Sequence, residues 1–169
     1  MGDSHETAER ARPAASTETL VDALKKSGSD FELLAHPRTF SATEEAHALG
    51  VKEQIVAKTL VVRDEGGHHI RAVVPASHRL NLEKLARAVD VHKLTLLGEP
   101  ELQQSYPQFA LGAVPPFSGP AGDVVVVDKR LTECEQVVFE AGVHDTSVRL
   151  RIEDLLTVAG ALVADIASG

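Results

Sequence analysis

Residues 55–74 read IVAKTLVVRDEGGHHIRAVV. Ile55–Arg63 and His69–Val74 are short runs rich in β-branched residues, and Asp64-Glu-Gly-Gly67 between them is a turn sequence, so the segment predicts a β-hairpin. In strand geometry Val56, Lys58, Leu60 and Val62 share one face, and Ala57, Thr59 and Val61 share the other. Both faces are apolar, which makes Lys58 the conspicuous residue of the segment. It either points inward or occupies a strand end.

Outward from this hairpin, the chain alternates short strands and short helices. Toward the N-terminus, Phe31–Ala35 reads as a strand ended by His36-Pro37. Ser41-Ala-Thr-Glu44 is a capping box that opens a helix through Leu49, with Gly50 at its C-terminus. Toward the C-terminus, Asn81 caps a helix over Leu82–Val89. Leu94–Leu97 is a short strand, and Pro100–Ser105 is at most a short helix. Tyr106–Gly122 holds four prolines and three glycines and predicts irregular structure. Asp123–Asp128 contains four consecutive valines and reads as a buried strand. Val137–Glu140 and Ser147–Arg151 are further strands. Ile152–Ile166 reads as a closing helix with Leu155, Leu156, Ala159 and Val163 on one face.

These elements amount to about seven strands and three or four helices in no regular βαβ order. They predict an α+β domain with a mixed, barrel-like curved β-sheet surrounded by short helices. A doubly wound fold is disfavoured, because the strands come in hairpins and no Gly-rich phosphate loop follows the first one. Residues 1 to about 18 are polar and read as a disordered tail, with a helix starting near Ser16 or Thr17 and Leu20, Ala23 and Leu24 at helical spacing. The expected organisation is a tail with a short helix over residues 1–28 and one domain over 29–169.

Composition narrows the function. A chain of 169 residues and 18.0 kDa suits one compact domain. A net charge of −8 and a pI near 5.4 exclude a broad nucleic-acid surface, which needs clustered Lys and Arg. No DNA or membrane partner is expected: no run approaches ~18 apolar residues, and MGDSHETAERARPAASTETL lacks the pattern of a secretory leader. The single Cys134 excludes an internal disulfide and a multi-cysteine zinc site, and fits a reduced, cytoplasmic setting.

Three features could carry chemistry. Lys58, if it points inward, needs an anionic or carbonyl partner, because an unpaired buried ammonium costs several kcal/mol, roughly. The plain alternative is a strand-end lysine that snorkels to water. The second feature is Phe109-Ala-Leu-Gly112-Ala-Val-Pro115-Pro116-Phe117. Gly112 allows a positive φ or close backbone approach, and the two prolines stiffen a loop that could offer N–H groups to a reacting carbonyl. Tyr106, Phe109 and Phe117 are three of the chain's one Tyr and five Phe, and could instead simply cap the core. The third is Gly142-Val-His144-Asp145, a turn whose His and Asp invite a general-base reading beside that of a solvated turn. His36, His47, His68 and His69 lack recognisable metal spacing. No Ser stands in a G-x-S-x-G elbow.

Taken in order, His36-Pro-Arg-Thr-Phe40, Thr43-Glu-Glu-Ala46, Ala57-Lys58-Thr59-Leu60, Leu111-Gly112-Ala-Val-Pro115-Pro116-Phe117 and Ala141-Gly142-Val-His144-Asp145 resemble the YbaK family. These are free-standing aminoacyl-tRNA deacylases related to the editing domain of bacterial prolyl-tRNA synthetase. The resemblance runs from Phe31 to Ile166. It implies hydrolysis of the ester joining a wrong amino acid to the terminal adenosine, with no cofactor and no covalent protein nucleophile. The implied partners are the acceptor end of aminoacyl-tRNA and a synthetase.

On this resemblance Lys58 matches the strand lysine that helps place the terminal nucleotide. Gly112 and Pro116 match the ends of the G-x-x-x-P loop along the substrate carbonyl, with Ala113, Val114 and Pro115 between them. Phe40 and Thr43 fall in the segment that closes the amino-acid pocket, and Gly142 with His144 or Asp145 matches a polar position at its side. Pro115 stands where many members have Ser or another small residue. Tyr106-Pro107-Gln108 stands where many have Thr-Gly. Two other readings stay open: a non-catalytic module that binds a tRNA end or small ligand, and a metal enzyme using His36, His68, His69 or His144.

Overall fold

The computed structural model of the chain describes residues 14–169. The tail expected at the N-terminus lies mostly outside those residues. The elements run α1 (Ala15–Ser27), β1 (Phe31–Ala35), α2 (Ala42–Leu49), β2 (Ala57–Arg63), β3 (His69–Pro75), β4 (Arg79–Leu80), α3 (Leu82–Ala88), β5 (Thr95–Leu96) and α4 (Glu99–Ser105). After the long loop come β6 (Val124–Asp128), β7 (Gln136–Glu140), β8 (Thr146–Arg151), α5 (Ile152–Ala159), β9 (Leu162–Ala164) and β10 (Ala167–Ser168).

The hairpin forms as its sequence dictates. β2 and β3 pair antiparallel from Ala57↔Pro75 to Arg63↔His69. They sit inside a five-stranded sheet of order β5-β2-β3-β6-β9, in which β3–β6 and β6–β9 are parallel. A second, antiparallel sheet of order β1-β8-β7 packs beside it, and β4 pairs with β10. Among the described residues, a single isolated bridge, Val56↔Val138, ties the two larger sheets together. The result is an α+β fold whose sheet curves without closing.

The valine run explains why both faces of the central sheet are apolar. Val125 and Val127 join one core with Ala57, Val73, Phe139, Val148 and Leu155. Val126, one pleat out of phase, joins the opposite core with Val62, Ala72, Val74 and Leu85 of α3. Helix α1 contributes fully buried Leu20 and Leu24 to the first core. Its Thr17 hydroxyl donates to Ala141 O at 2.7 Å.

The caps follow the sequence. Ser41 Oγ accepts from Glu44 N, Asn81 Oδ1 accepts from Lys84 N, and Gly50 ends α2 at φ +67.

Two expectations are corrected. The closing helix does not reach Ile166: it stops at Ala159, because Gly160 takes φ +58 and its N–H returns to Leu156 O and Thr157 O. Residues 162–164 then pair with β6 as an edge strand, and Val163, expected on the helix's buried face, is exposed. An apolar triplet fits either period, and sheet pairing decides it. The strand expected from Ile55 begins instead at Ala57, after a 3₁₀ turn over Glu53–Ile55. Among the described residues, no helix is long and apolar enough to cross a membrane.

Candidate functional site

The site forms where three elements converge: the N-terminus of α2, the first half of β2, and the loop between α4 and β6. A cavity of about 240 Å³ opens between them. Phe40 lines it from just before α2 and Thr43 from its first turn, Ala57 and Lys58 from β2, and Gly112 and Val114 from the loop. Phe40 stands at its rim, 70 % exposed, with the Arg38 guanidinium 5.5 Å from its ring centre. An aromatic residue this exposed beside a cavity suits a contact made only when the cavity is filled.

The loop holds its shape through one buried cation. Arg71, 2 % exposed, donates from Nη1 to Pro115 O (2.8 Å), from Nη2 to Ser118 O (2.7 Å) and from Nε to Asp123 Oδ2 (2.9 Å). Tyr106 donates its hydroxyl to the same Asp123 oxygen at 2.6 Å. Asp123 thereby compensates the buried charge, and the guanidinium fork fixes two loop carbonyls at once. Ser118, at φ +79, sits in a region that residues with a side chain rarely adopt, and the bond from Arg71 to its carbonyl holds it there.

Gly112 has φ +84, and a Cβ there would lie 3.7 Å from His144 Cε1, so its requirement is conformational rather than spatial. Gly142 has φ +87 as well as crowding: a Cβ would meet Phe109 and Ser16 at 3.0 Å.

Lys58 is half-buried, and its ammonium is held below the usual lysine range, first by burial and then by the like charge of Arg79, against a smaller opposing effect of Glu53. Burial makes this charge more available to an incoming anion, since it has already shed part of its water.

Two carboxyls complete the cavity wall, and sequence reasoning missed both. Glu45 is 1 % exposed on the inner face of α2, and Glu140 ends β7. Burial pushes Glu45 up to about 7 and Glu140 up to about 8. Each is wired to a histidine. His144 Nε2 lies 2.7 Å from Leu111 O, which can only accept, so Nε2 carries the hydrogen. Its Nδ1 lies 2.8 Å from Glu140 Oε2, and a single proton occupies that contact.

On the other side, the Ser147 hydroxyl donates to Glu45 Oε2 at 2.5 Å and lies 2.9 Å from His36 Nε2. His36 Nδ1 donates to Pro37 O. When Glu45 takes up a proton, the Ser147 bond can reverse and point to His36.

The sequence candidates therefore divide. Lys58, Gly112, Phe40, Thr43, Ala113 and Val114 share the cavity. Pro115 and Pro116 are buried behind it, with Pro115 O occupied by Arg71. Gly142 and His144 lie one layer back, where the Gly142 carbonyl accepts from Ala110 N and His144 holds Leu111. Asp145 is exposed, and its side chain accepts from Thr146. The one available signal for Glu140 was its position four residues before His144 across the Gly142 turn. For Glu45 it was the neighbouring Ala46, which marks the buried face of α2.

The histidines scatter. Exposed His68 pairs with half-buried Asp64, and His69 meets the Tyr106 hydroxyl. Among the described residues, no three His, Cys, Asp or Glu side chains are grouped as a metal site.

Comparison with known proteins bears on this geometry. Residues 36–158 match the family model of the aminoacyl-tRNA editing domain. The chain is 27 % identical over 155 residues to the multifunctional Ser/Thr-tRNA deacylase ProXp-y of Escherichia coli K12, covering 89 % of this chain and 92 % of that protein. A crystal structure of a proposed trans-editing enzyme for prolyl-tRNA synthetase superposes with a TM-score of 0.82 at 28 % identity, over 94 % of this chain and all of the other. A scaffold protein used for computational epitope grafting superposes with a TM-score of 0.81 at 26 % identity, over 93 % and 99 %.

Proposed function

The chain belongs to the family of aminoacyl-tRNA editing domains, and from that premise we propose that it is a deacylase, acting in trans to hydrolyse the ester of mischarged aminoacyl-tRNA. The observation that carries this reading is the meeting of Lys58, the Gly112 loop and Thr43 on one cavity of about 240 Å³. That volume suits a small acyl group. The deacylase unit is residues 29–169, seated on α1, and it works in the cytoplasm, where charged tRNA is used.

In this mechanism the aminoacyl group enters between α2 and the loop, and Lys58 attracts the terminal phosphate or ribose oxygens. The loop from Gly112 to Pro116 lies along the ester carbonyl, where one well-placed backbone donor is worth on the order of 10²–10³ in rate. Water adds to the carbonyl, the ribose oxygen leaves and takes a proton, and the free amino acid departs. A hydroxyl of the substrate assists, so no protein nucleophile is needed.

Selection is by size, as in a steric sieve, and by polarity. Glu45 and Glu140 at the cavity wall suit a side chain bearing a hydroxyl, and the E. coli relative is named for Ser and Thr. Likeness to a proposed trans-editing enzyme for prolyl-tRNA synthetase supports a synthetase as partner.

The test is a panel of tRNAs charged with Ser, Thr, Ala or Cys. At least one should lose its ester well above the buffer rate. If none does, while an uncleavable aminoacyl-adenosine analogue still binds, the non-catalytic reading takes its place.

A further inference from the structure

A second cavity adjoins the first. It measures about 190 Å³ and is walled by Val61, Leu96, Leu97 and Leu102. The two cavities share Thr59, Leu60, Gly112 and Val114. One compartment therefore carries carboxyls and an ammonium, the other is aliphatic, and Thr59 and Gly112 stand at their junction.

Thr59 Oγ1 is the one side-chain nitrogen or oxygen that is buried with no hydrogen-bond partner among the described residues. Such a hydroxyl has given up water without compensation, and native proteins keep few of them. Valine would fill the same space in β2 without that loss. Thr59 lines both cavities, and its hydroxyl, which makes no bond within the described residues, is free to take a partner that arrives with a ligand.

We propose, building on the deacylase reading, that the Thr59 hydroxyl binds the free hydroxyl of the substrate's terminal ribose. The polarity of the compartments gives the orientation. An aminoacyl-adenosine has a polar acyl end, a flat and largely apolar base, and a ribose between them. With the acyl group among Thr43, Glu45 and Glu140 and the base among the leucines, the ribose falls at Thr59, next to Lys58. A hydroxyl there can donate and accept at once, which suits another hydroxyl. Thr59 thus orients the ribose against the Gly112 loop, without itself taking part in bond making.

The test uses uncleavable 3′-amide-linked seryl-adenosine and its 2′-deoxy counterpart, titrated against the full chain. Thr59→Val should bind the ribose form roughly five- to tenfold more weakly, the size of one neutral hydrogen bond. Thr59→Ser should bind within about twofold of the wild type. The 2′-deoxy form should not distinguish wild type from Thr59→Val. Thermal unfolding of Thr59→Val should occur at an unchanged or higher temperature, since the substitution removes an unsatisfied hydroxyl. Equal affinity of wild type and Thr59→Val for the ribose form, or an equal loss with the 2′-deoxy form, overturns the assignment. Deacylation by the wild type in that case leaves the enzyme reading standing, whereas absence of both binding and deacylation overturns the two together.

Discussion

His144 donates from Nε2 to the carbonyl of Leu111 at 2.7 Å, and Leu111 is the residue immediately before Gly112. The turn after β7 thereby fixes the start of the loop proposed to face the ester, and Glu140 fixes the turn's histidine in its place. Glu140→Leu keeps much of the bulk of the side chain and leaves His144 Nδ1 without its partner. It should lower deacylation roughly tenfold while leaving KM within about threefold, as expected when orientation rather than binding is lost. Steady-state kinetics on a responsive aminoacyl-tRNA separates the two quantities. An unchanged kcat would falsify the link between this turn and the loop.

Stability should fall as the solution becomes more alkaline. Glu45 and Glu140 hold protons up to about 7 and 8 in the folded chain, but release them near the ordinary carboxylate range once unfolded. Between those limits the native state binds more protons, so its stability is greatest below the unfolded value and is lost as pH rises through 7 to 8. Urea unfolding should give about 1–3 kcal/mol less stability at pH 8.5 than at pH 5.5 per carboxyl. Glu45→Gln with Glu140→Gln should flatten most of that slope. A stability that rises over this interval contradicts the assignment.

Lys58→Ala should reduce kcat/KM by about 10- to 100-fold if its ammonium meets substrate. The same change should leave the unfolding midpoint unchanged or raised, because a partly desolvated charge beside Arg79 is removed. A full-rate Lys58→Ala protein contradicts the proposed role.

Glycine substitution should rank Gly112 and Gly142, the two left-handed glycines beside the cavity. Gly112→Ala carries only the backbone strain of a positive φ, about 1 kcal/mol, because its nearest neighbour is 3.7 Å away. Gly142→Ala adds contacts at 3.0 Å with Phe109 and Ser16 and should be the less stable of the two. Denaturation midpoints in the reverse order count against this reading of the loop.

Arg71→Met should be the most damaging single change, at about 3–5 kcal/mol. It strands Asp123 and frees the carbonyls of Pro115 and Ser118. Arg71→Met together with Asp123→Asn should recover part of the loss, a coupling that a double-mutant cycle reads directly.

Much of this architecture is written locally. The hairpin announces itself through β-branched runs around Gly66-Gly67, and Ser41, Asn81 and Gly50 mark helix ends by chemistry that needs no distant partner. The stretch after Gly160 is different. Leu162–Ala164 becomes a strand only because β6 offers a free edge, and that edge is not visible from the triplet itself. The site divides the same way. Lys58 stands out because a charge interrupts an apolar strand, and Gly112 because prolines follow it. Glu45 looks like any solvated helix residue until Ser147, far along the chain, closes over it. Thr59 looks like an ordinary β-former, since an unpaired hydroxyl is a property of surroundings and not of sequence. Arg71 reads as an outward-facing strand charge until the loop folds across it.

The bond from Thr17 to Ala141 spans 124 positions, and β1 pairs with β8 across a similar distance. Helix α1 and strand β1 are therefore held by contacts distant in sequence. Among the described residues, strand β1 has its ladder partner only in Thr146–Arg151, while the β2–β3 hairpin closes over a short turn. Closing so long a loop is entropically slow. Until those distant segments meet, the edge of β8 that β1 covers stays open to pairing with another strand.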